Sequence, residues 1–265
     1  DLSIINGSLE VTNMAGGGGG KAFAEVVNKR GSDDSLIVAA SAATATRLAQ
    51  GAYPGNSMDQ VKWVGTIGAD YGVIAVAGDS DVVTLGELLE NLKTKPKKWV
   101  IGGGSAVGGW DHLKVLMAAK EYGISNVRKI KYVSFDGGGD AVTQLLAGNV
   151  KIFTGDVSEI KGFVDAGDIK IIAVLSPQRL PGDFSKFYTA KEQGVNVVGA
   201  NWRGFYVPKG MSDDAYNFWA GAIKKMYDTP QWKKTMAKNG LAPLDLSGKA
   251  FESFVANSVA SIQTI

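Results

Sequence analysis

A glycine-rich segment offers the clearest chemistry in this sequence. It reads Trp99-Val-Ile-Gly-Gly-Gly-Ser-Ala-Val-Gly-Gly-Trp-Asp-His-Leu113, between an apolar run typical of a buried strand and a stretch with helical spacing. Glycine lets a ligand approach backbone N–H groups closely, and the N-terminus of a helix adds free N–H donors and partial positive charge. The segment therefore predicts a site, lined by backbone, for an anion or a strongly polar group.

Three enzyme motifs fail at the glycine-rich segments. The spacing after Gly102 is one residue too long for a dinucleotide fingerprint, and the next strand, 129–134, carries no carboxylate. The run Gly16–Gly20 is followed by Lys-Ala, so the hydroxyl of a phosphate-binding loop is missing. Ser105 lacks the final glycine of a nucleophile elbow, and His112 is expected to pack or cap at the start of its helix. An α/β hydrolase or nucleotide-dependent enzyme stays as the alternative class.

Other polar and aromatic residues have two interpretations each. Asp156 ends a predicted strand, where it could accept hydrogen bonds from a ligand hydroxyl or amine, or cap the helix that follows. Trp110 and Trp202 flank glycine-rich or turn segments, where they could line a cleft or pack in the core. Tyr71 has the same two roles open to it, whereas Trp219 is expected in the core.

The supporting elements alternate between strands and helices, which indicates an α/β protein with largely parallel sheets. In such sheets ligands bind beyond the carboxyl ends of the strands, where the glycine clusters lie. Thr84 and Glu87 predict a capping box, and Leu113 faces the core on a helix that leaves Lys114 outside. The predicted strands are 9–11, 36–40, 62–67, 73–77, 99–101, 129–134, 151–154, 170–175 and 200–208, and the predicted helices are 22–28, 84–92, 111–122, 141–147, 158–166, 212–228, 230–239 and 247–262.

Composition narrows the class of protein. The 265 residues include 45% hydrophobic residues and carry a net charge of +2, which indicates a substantial core and no nucleic-acid surface. The absence of cysteine excludes a thiolate zinc site and thiol catalysis, and a single histidine excludes a multi-histidine metal site. No apolar run is long enough to span a membrane. No cofactor and no metal are expected.

Five segments follow one another in a characteristic order and spacing along the chain. They are Glu10–Gly20, Gly102–His112, Tyr132-Val-Ser-Phe-Asp-Gly-Gly-Gly-Asp140, Leu175–Pro181 and Ala200-Asn-Trp-Arg-Gly204. In these segments, and over nearly the whole chain, the sequence resembles the periplasmic solute-binding proteins of tripartite tricarboxylate transporters (the TctC or Bug family).

The resemblance implies a type II periplasmic binding protein with two Rossmann-like lobes, two crossovers and a ligand in the cleft between lobes. We place the crossovers near residues 98–99 and 203–206, so that lobe I comprises residues 1–98 and 206–265 and lobe II comprises residues 99–205. The implied function is capture of a small carboxylate, such as a citrate-like tri- or dicarboxylate, without chemistry. Hinge closure, delivery to a membrane permease, a monomeric state and a periplasmic location after removal of a signal peptide are also implied. The expected ligand-binding residues are Ser41, Tyr71, Gly104, Ser105, Ala106, Gly138, Asp156 and Trp202.

The sequence departs from the family pattern at its start. Family members carry a strand, a Pro-Gly-Gly-rich loop and a helix ahead of the region that matches residues 9–13. This chain begins about 35 residues later than that pattern, judged from typical sizes of strand–helix units. We therefore expect one of the two main ligand loops of the family to be missing from this sequence, and an upstream segment to have been removed.

Overall fold

The computed structural model describes residues 4–5, 7–14 and 16–263. Those residues form the following main elements in chain order: α1 (Gly20–Lys29), β1 (Val38–Ser41), α2 (Ala42–Ala49), β2 (Val61–Ala77), α3 (Leu85–Thr94), β3 (Ile101–Gly103), α4 (Trp110–Glu121), β4 (Tyr132–Ser134), α5 (Gly138–Leu146), β5 (Ile152–Asp156), α6 (Val157–Ala166), β6 (Ile169–Val174), β7 (Ala200–Pro208), α7 (Asp213–Tyr227), α8 (Pro230–Lys238) and α9 (Gly248–Gln263). The alternation of strands and helices confirms the predicted α/β class.

The chain forms two compact units. Unit 1 comprises the described residues up to Ala69 together with Trp202–Asn239 and the residues from Pro243 onward, and unit 2 comprises Asp70–Asn201 and Gly240–Ala242. The second boundary lies close to the predicted crossover at residues 203–206. The first lies well before the predicted one at residues 98–99, because α3 packs its leucines into the core of unit 2.

Unit 2 contains the sheet that positions the glycine-rich segments. Strand β3 pairs in parallel with β4 and with β5, so the carboxyl ends of all three meet at one edge. Helices α4, α5 and α6 begin after those ends. The second half of β2 runs antiparallel to both β5 and β6, so the sheet is mixed and the prediction of largely parallel strands was wrong.

The core of unit 2 lies between this sheet and its helices. Ile74 of β2, Ile101 of β3 and Ile152 of β5 are fully buried against Leu88 of α3 and Val115 of α4. The predicted capping box starts α3: Thr84 Oγ1 accepts from the amide of Glu87 at 3.2 Å, and the Glu87 carboxylate accepts from the amide of Thr84 at 3.1 Å. These two hydrogen bonds stabilise the start of α3.

Unit 1 has an aromatic core. Strand β7 pairs antiparallel with β1 and lies next to β2. Trp202 packs edge-to-face on Trp63 and Phe251, with ring centroids 5.9 and 5.1 Å apart. Trp219 is buried as predicted, and its indole N–H donates to the carbonyl of Asp34 at 3.1 Å.

The predicted strand over residues 9–11 is absent. Leu9 and Val11 are 62% and 86% exposed and belong to no strand within the described part of the chain. A strand needs a neighbouring strand to satisfy its backbone, and no described segment pairs with these residues. Among the described helices, none is both long enough and apolar enough to cross a membrane.

Candidate ligand-binding site

Two glycine-rich segments that are 34 residues apart in sequence lie against each other in unit 2. Gly104 follows β3, and Gly138 is the first residue of α5. A Cβ atom added to Gly104 would lie 2.6 Å from the backbone nitrogen of Gly138 and 2.6 Å from the carbonyl carbon of Gly137. Only glycine fits at position 104, because any side chain would collide with this backbone.

The two segments present backbone amides that the described protein does not use. Within the described residues, the amides of Gly104, Ser105 and Ala106 donate to no protein group. The same holds for Gly138 and Gly139 in the first turn of α5, whose N-cap residue provides no side-chain cap. Free amides at a helix N-terminus carry partial positive charge, so the arrangement can hold a carboxylate.

Ser105 fastens this loop to the protein through its hydroxyl and its carbonyl oxygen. Its hydroxyl accepts from the amide of Asp111 at 3.0 Å, in the first turn of α4. Its carbonyl accepts from the Tyr132 hydroxyl at 2.8 Å. Burial raises the pKa of Tyr132 to about 12, so this donor keeps its proton at neutral pH. The loop is therefore held by both α4 and β4, and neither contact uses the amides of residues 104–106.

His112 packs at the start of α4, as predicted. Its Nδ1 accepts from the amide of Gly108 at 3.0 Å, and its ring stacks on Tyr132 with centroids 4.5 Å apart. Burial lowers the pKa of His112, so the ring is neutral at pH 7. Since Nδ1 accepts a hydrogen bond, the proton is placed on Nε2, and the ring supports the loop instead of acting as a base toward Ser105.

A buried ion cluster lies beneath the loop. Lys114 is fully buried, which corrects the prediction that it lies outside the core. Its Nζ lies 2.6 Å from Asp156 Oδ1, 2.6 Å from the Gly155 carbonyl oxygen and 3.0 Å from Asp111 Oδ1. Burial alone would lower the pKa of Lys114, but the charges of Asp156 and Asp111 outweigh it and raise that pKa. The cation joins α4 to the end of β5.

Asp156 belongs to this cluster and not to an open ligand surface. It is 4% exposed, it caps α6, and its Oδ2 accepts from Asn201 Nδ2 at 2.5 Å. Both carboxylate oxygens are therefore engaged by protein groups. Of the two interpretations offered by the sequence, the structure supports the cap, and the role of acceptor for a ligand hydroxyl or amine is corrected.

Glu159 was missed by the sequence analysis. Its Oε2 accepts from the amide of Asp156 at 2.8 Å, which completes the capping box of α6. Its Oε1 would lie 2.5 Å from a Cβ atom added to Gly138, so the carboxyl lies beside the N-terminus of α5. The Asp156-x-x-Glu159 spacing is the sequence signal that predicts this orientation.

The pKa of Glu159 is raised to about 7. Protein groups that crowd its carboxyl and displace water are the main cause. The nearby Asp156 and Asp111 carboxylates act in the same direction, whereas the Asp156 amide and Lys114 act against it. The carboxyl therefore changes its charge near neutral pH, beside the free amides.

Ser41, Tyr71 and Trp202 were also predicted to contact the ligand. Ser41, in unit 1, ends β1 and caps α2, with its hydroxyl accepting from the amide of Ala43 at 3.2 Å. Tyr71 is buried in the part of β2 that belongs to unit 2, and burial raises the pKa of its hydroxyl. Trp202 is 1% exposed in the core of unit 1, which corrects its proposed place in a cleft wall. No set of three histidine, aspartate or glutamate side chains among the described residues is arranged to hold a metal ion.

The fold and the loop site define an α/β protein whose glycine-rich segments present free backbone amides. A sequence model of the tripartite tricarboxylate transporter family receptors, TctC, matches residues 6–265. The chain belongs to the TctC family. This confirms the resemblance, and the predicted fold class with it.

Individual relatives are distant. The UPF0065 protein in the gbd 5' region of Cupriavidus necator is 23% identical over 198 residues, which is 75% of this chain and 58% of that protein. The R. palustris protein Rpa4515 with adipate has a TM-score of 0.83 at 19% identity, covering 97% of this chain and 85% of the other. MatC from Rhodopseudomonas palustris with bound malate has a TM-score of 0.81 at 16% identity, covering 96% and 86%. At these identities the two structures support a shared fold.

Proposed function

We propose that this protein is an extracytoplasmic solute-binding protein that captures a small di- or tricarboxylate and delivers it to the permease of a tripartite tricarboxylate transporter. The observation that carries the proposal is the pair of glycine-rich segments in unit 2, whose amides at 104–106 and 138–139 are left free by the described protein. Membership of the TctC family supports the same class of function.

The ligand carboxylate is held by backbone amides. The N–H groups of Gly104, Ser105 and Ala106 donate to one carboxylate, and Gly138 adds a donor from the N-terminus of α5. Each charge-assisted hydrogen bond contributes roughly 1.5–3 kcal/mol. Two or three of them are consistent with micromolar binding, or about −8 kcal/mol, after the cost of association.

Protein groups beneath the loop keep these amides in position. Ser105 is tied to α4, and Lys114 joins α4 to β5 through three short contacts. Preorganised donors lose little entropy when the ligand binds. Ser41 and Tyr71 remain predicted ligand contacts, and Asp156 is assigned to the buried cluster that supports the loop.

Dicarboxylates are the first ligands to test, because the similar proteins of known structure hold malate and adipate. The site is made of amides, so it recognises a carboxylate without restricting the rest of the ligand. We also propose that the protein is periplasmic and that it functions as a monomer. Cell fractionation tests its location, and light scattering tests its oligomeric state.

We propose that the protein binds its ligand without chemistry, and the loop geometry supports this. The Ser105 hydroxyl accepts from Asp111, and His112 accepts from Gly108, so neither group is arranged to activate the other. The alternative of a hydrolase requires turnover by the unmodified protein that is lost on changing Ser105 and His112 to alanine. Absence of turnover in the unmodified protein removes that alternative.

Titration calorimetry with malate, succinate, adipate, citrate, tricarballylate and glutamate tests the proposal. Gly104→Ala is expected to weaken binding at least about tenfold, equivalent to 1.4 kcal/mol, because its Cβ collides with Gly138. Gly221→Ala is the matched control, since a Cβ added there in α7 meets nothing within 4 Å. A panel in which no acid binds contradicts the proposed function, and equal binding by both variants contradicts the assigned site.

A further inference from the structure

One ionisable side chain shares the space beside the free amides. Glu159 is exposed as a residue, but its carboxyl is crowded by protein groups, and Oε1 lies against Gly138 at the first turn of α5. Its Oε2 is already an acceptor for the Asp156 amide at 2.8 Å. The oxygen that faces the glycine segment is thus the one left to meet a ligand. Gly138 in turn lies against Gly104, so the carboxyl and the glycine-rich segments are neighbours in unit 2.

The charges around Glu159 oppose an anion there. From α4, Asp111 carries a negative charge and Lys114 a positive one, and Asp156 adds a second carboxylate at the end of β5. Asp70 of β2 bonds to the neighbouring Ser158, and Asp140 lies in the first turn of α5. Within unit 2 these groups comprise four carboxylates and one ammonium. An ionised Glu159 would add a further negative charge next to the carboxylate of a ligand.

We propose that Glu159 is a specificity-determining residue of the loop site, which donates a hydrogen bond to the ligand carboxylate when protonated and repels it when ionised. This inference rests on the proposed function of the same site. In the neutral acid, Oε2 keeps its bond from the Asp156 amide and Oε1 carries the proton toward the ligand. When Glu159 is ionised in the free protein, it therefore takes up one proton as the ligand carboxylate binds.

The size of the effect follows from the titration of Glu159. With a pKa of about 7, the carboxyl is about nine-tenths protonated near pH 6 and about 3% protonated near pH 8.5. The apparent affinity scales with the protonated fraction, so it should fall roughly 30-fold between these pH values. Burial lowers the pKa of His112, so a change in its charge between these pH values is smaller than for an ordinary histidine.

Calorimetry with malate and adipate near pH 6 and near pH 8.5 tests the inference, because both acids are mostly doubly ionised at both pH values and their own protonation changes far less than that of Glu159. The unmodified protein should lose roughly 30-fold in affinity at the higher pH. Glu159→Gln should change less than about threefold and bind tightly at both pH values, because the amide keeps an acceptor for Asp156 and a donor for the ligand. Repeating the titrations in two buffers of different ionisation enthalpy gives the number of protons taken up.

Glu87→Gln is the matched control. Glu87 is also the third residue of a capping box, at α3, and its carboxylate accepts from the amides of Val83 and Thr84 at 3.0 and 3.1 Å. This variant should keep the full pH dependence. Equal affinity of the unmodified protein at both pH values, or retention of the pH dependence in Glu159→Gln, overturns the inference while the proposed function stands. Failure of every dicarboxylate to bind at either pH refutes the proposed function, and the inference with it.

Discussion

Replacing Lys114 by methionine is expected to be strongly destabilising. The side chain is fully buried, and its ammonium contacts Asp156 and Asp111 at 2.6 and 3.0 Å. Methionine fills much of the same volume but leaves two buried carboxylates without their cation. Removing one partner from a buried ion pair costs about 3–5 kcal/mol, because the remaining charge is not compensated. We expect the free energy of unfolding to fall by about that amount at pH 7.

The pH dependence of this contribution has a definite sign. The pKa of Lys114 is raised in the folded protein, since the attraction of Asp156 and Asp111 exceeds the effect of burial. The stabilisation is therefore fully present below the pKa of an unfolded lysine and is lost only as the pH rises through the higher folded value. Urea denaturation at pH 7, followed by tryptophan fluorescence, measures the complete effect.

A surface lysine with the same number of carboxylate partners is the control. Lys224 lies 3.1 Å from Asp228 and 2.6 Å from Asp245, but its side chain is 49% exposed. Water screens such pairs, so Lys224→Met should change the unfolding free energy little. The double variant Lys114→Met/Asp156→Asn should recover part of the loss, because it removes one uncompensated charge. Equal effects of the two single lysine changes would refute the assignment of a buried cluster.

Two further substitutions test the roles of single residues. One asks whether Ser105 supports the loop or contacts the ligand, and the other asks whether Trp202 lies in the core or at the surface. Ser105→Ala should lower the free energy of unfolding by about 1 kcal/mol, as for loss of a helix cap. The affinity for a carboxylate should change less than about threefold, because the amides hold the ligand. A large loss of affinity without a loss of stability would show that the hydroxyl binds the ligand. Trp202→Ala should lower the free energy of unfolding by about 3–5 kcal/mol, because its ring packs on Trp63 and Phe251. If urea denaturation shows almost no change in stability, Trp202 lies at the surface instead.

The sequence predicted the parts of the site that depend on local backbone. Glycine runs before helices indicated free amides, and the Thr84–Glu87 pattern predicted a helix start that the structure confirms. It did not predict that Gly104 would lie against Gly138, because no local pattern encodes an approach between two distant loops.

Two predictions were wrong because they depend on contacts between distant parts of the chain: the division of β2 into two strands and the position of Lys114 outside the core. Residues 62–67 and 73–77 were predicted as separate strands, since the glycines and Asp70 between them interrupt the apolar pattern. They form one strand, β2, in which the Asp70 carboxylate accepts from the Ser158 hydroxyl at 2.5 Å. Gly72 leaves room for Lys114, whose Cδ would lie 2.5 Å from a Cβ added there. Helical spacing did not reveal that Lys114 is buried, because one of its two carboxylate partners, Asp156, lies on another element.

The central claim is that backbone amides of unit 2 hold a ligand carboxylate, and amide-detected NMR tests it most directly. Adding saturating malate or adipate near pH 6 to uniformly ¹⁵N-labelled protein should shift the amide protons of Gly104, Ser105, Ala106, Gly138 and Gly139 downfield, because each gains or strengthens a bond to an anion. The amide of Gly221 should not move. Saturable binding that leaves those five amide signals unchanged would contradict the account.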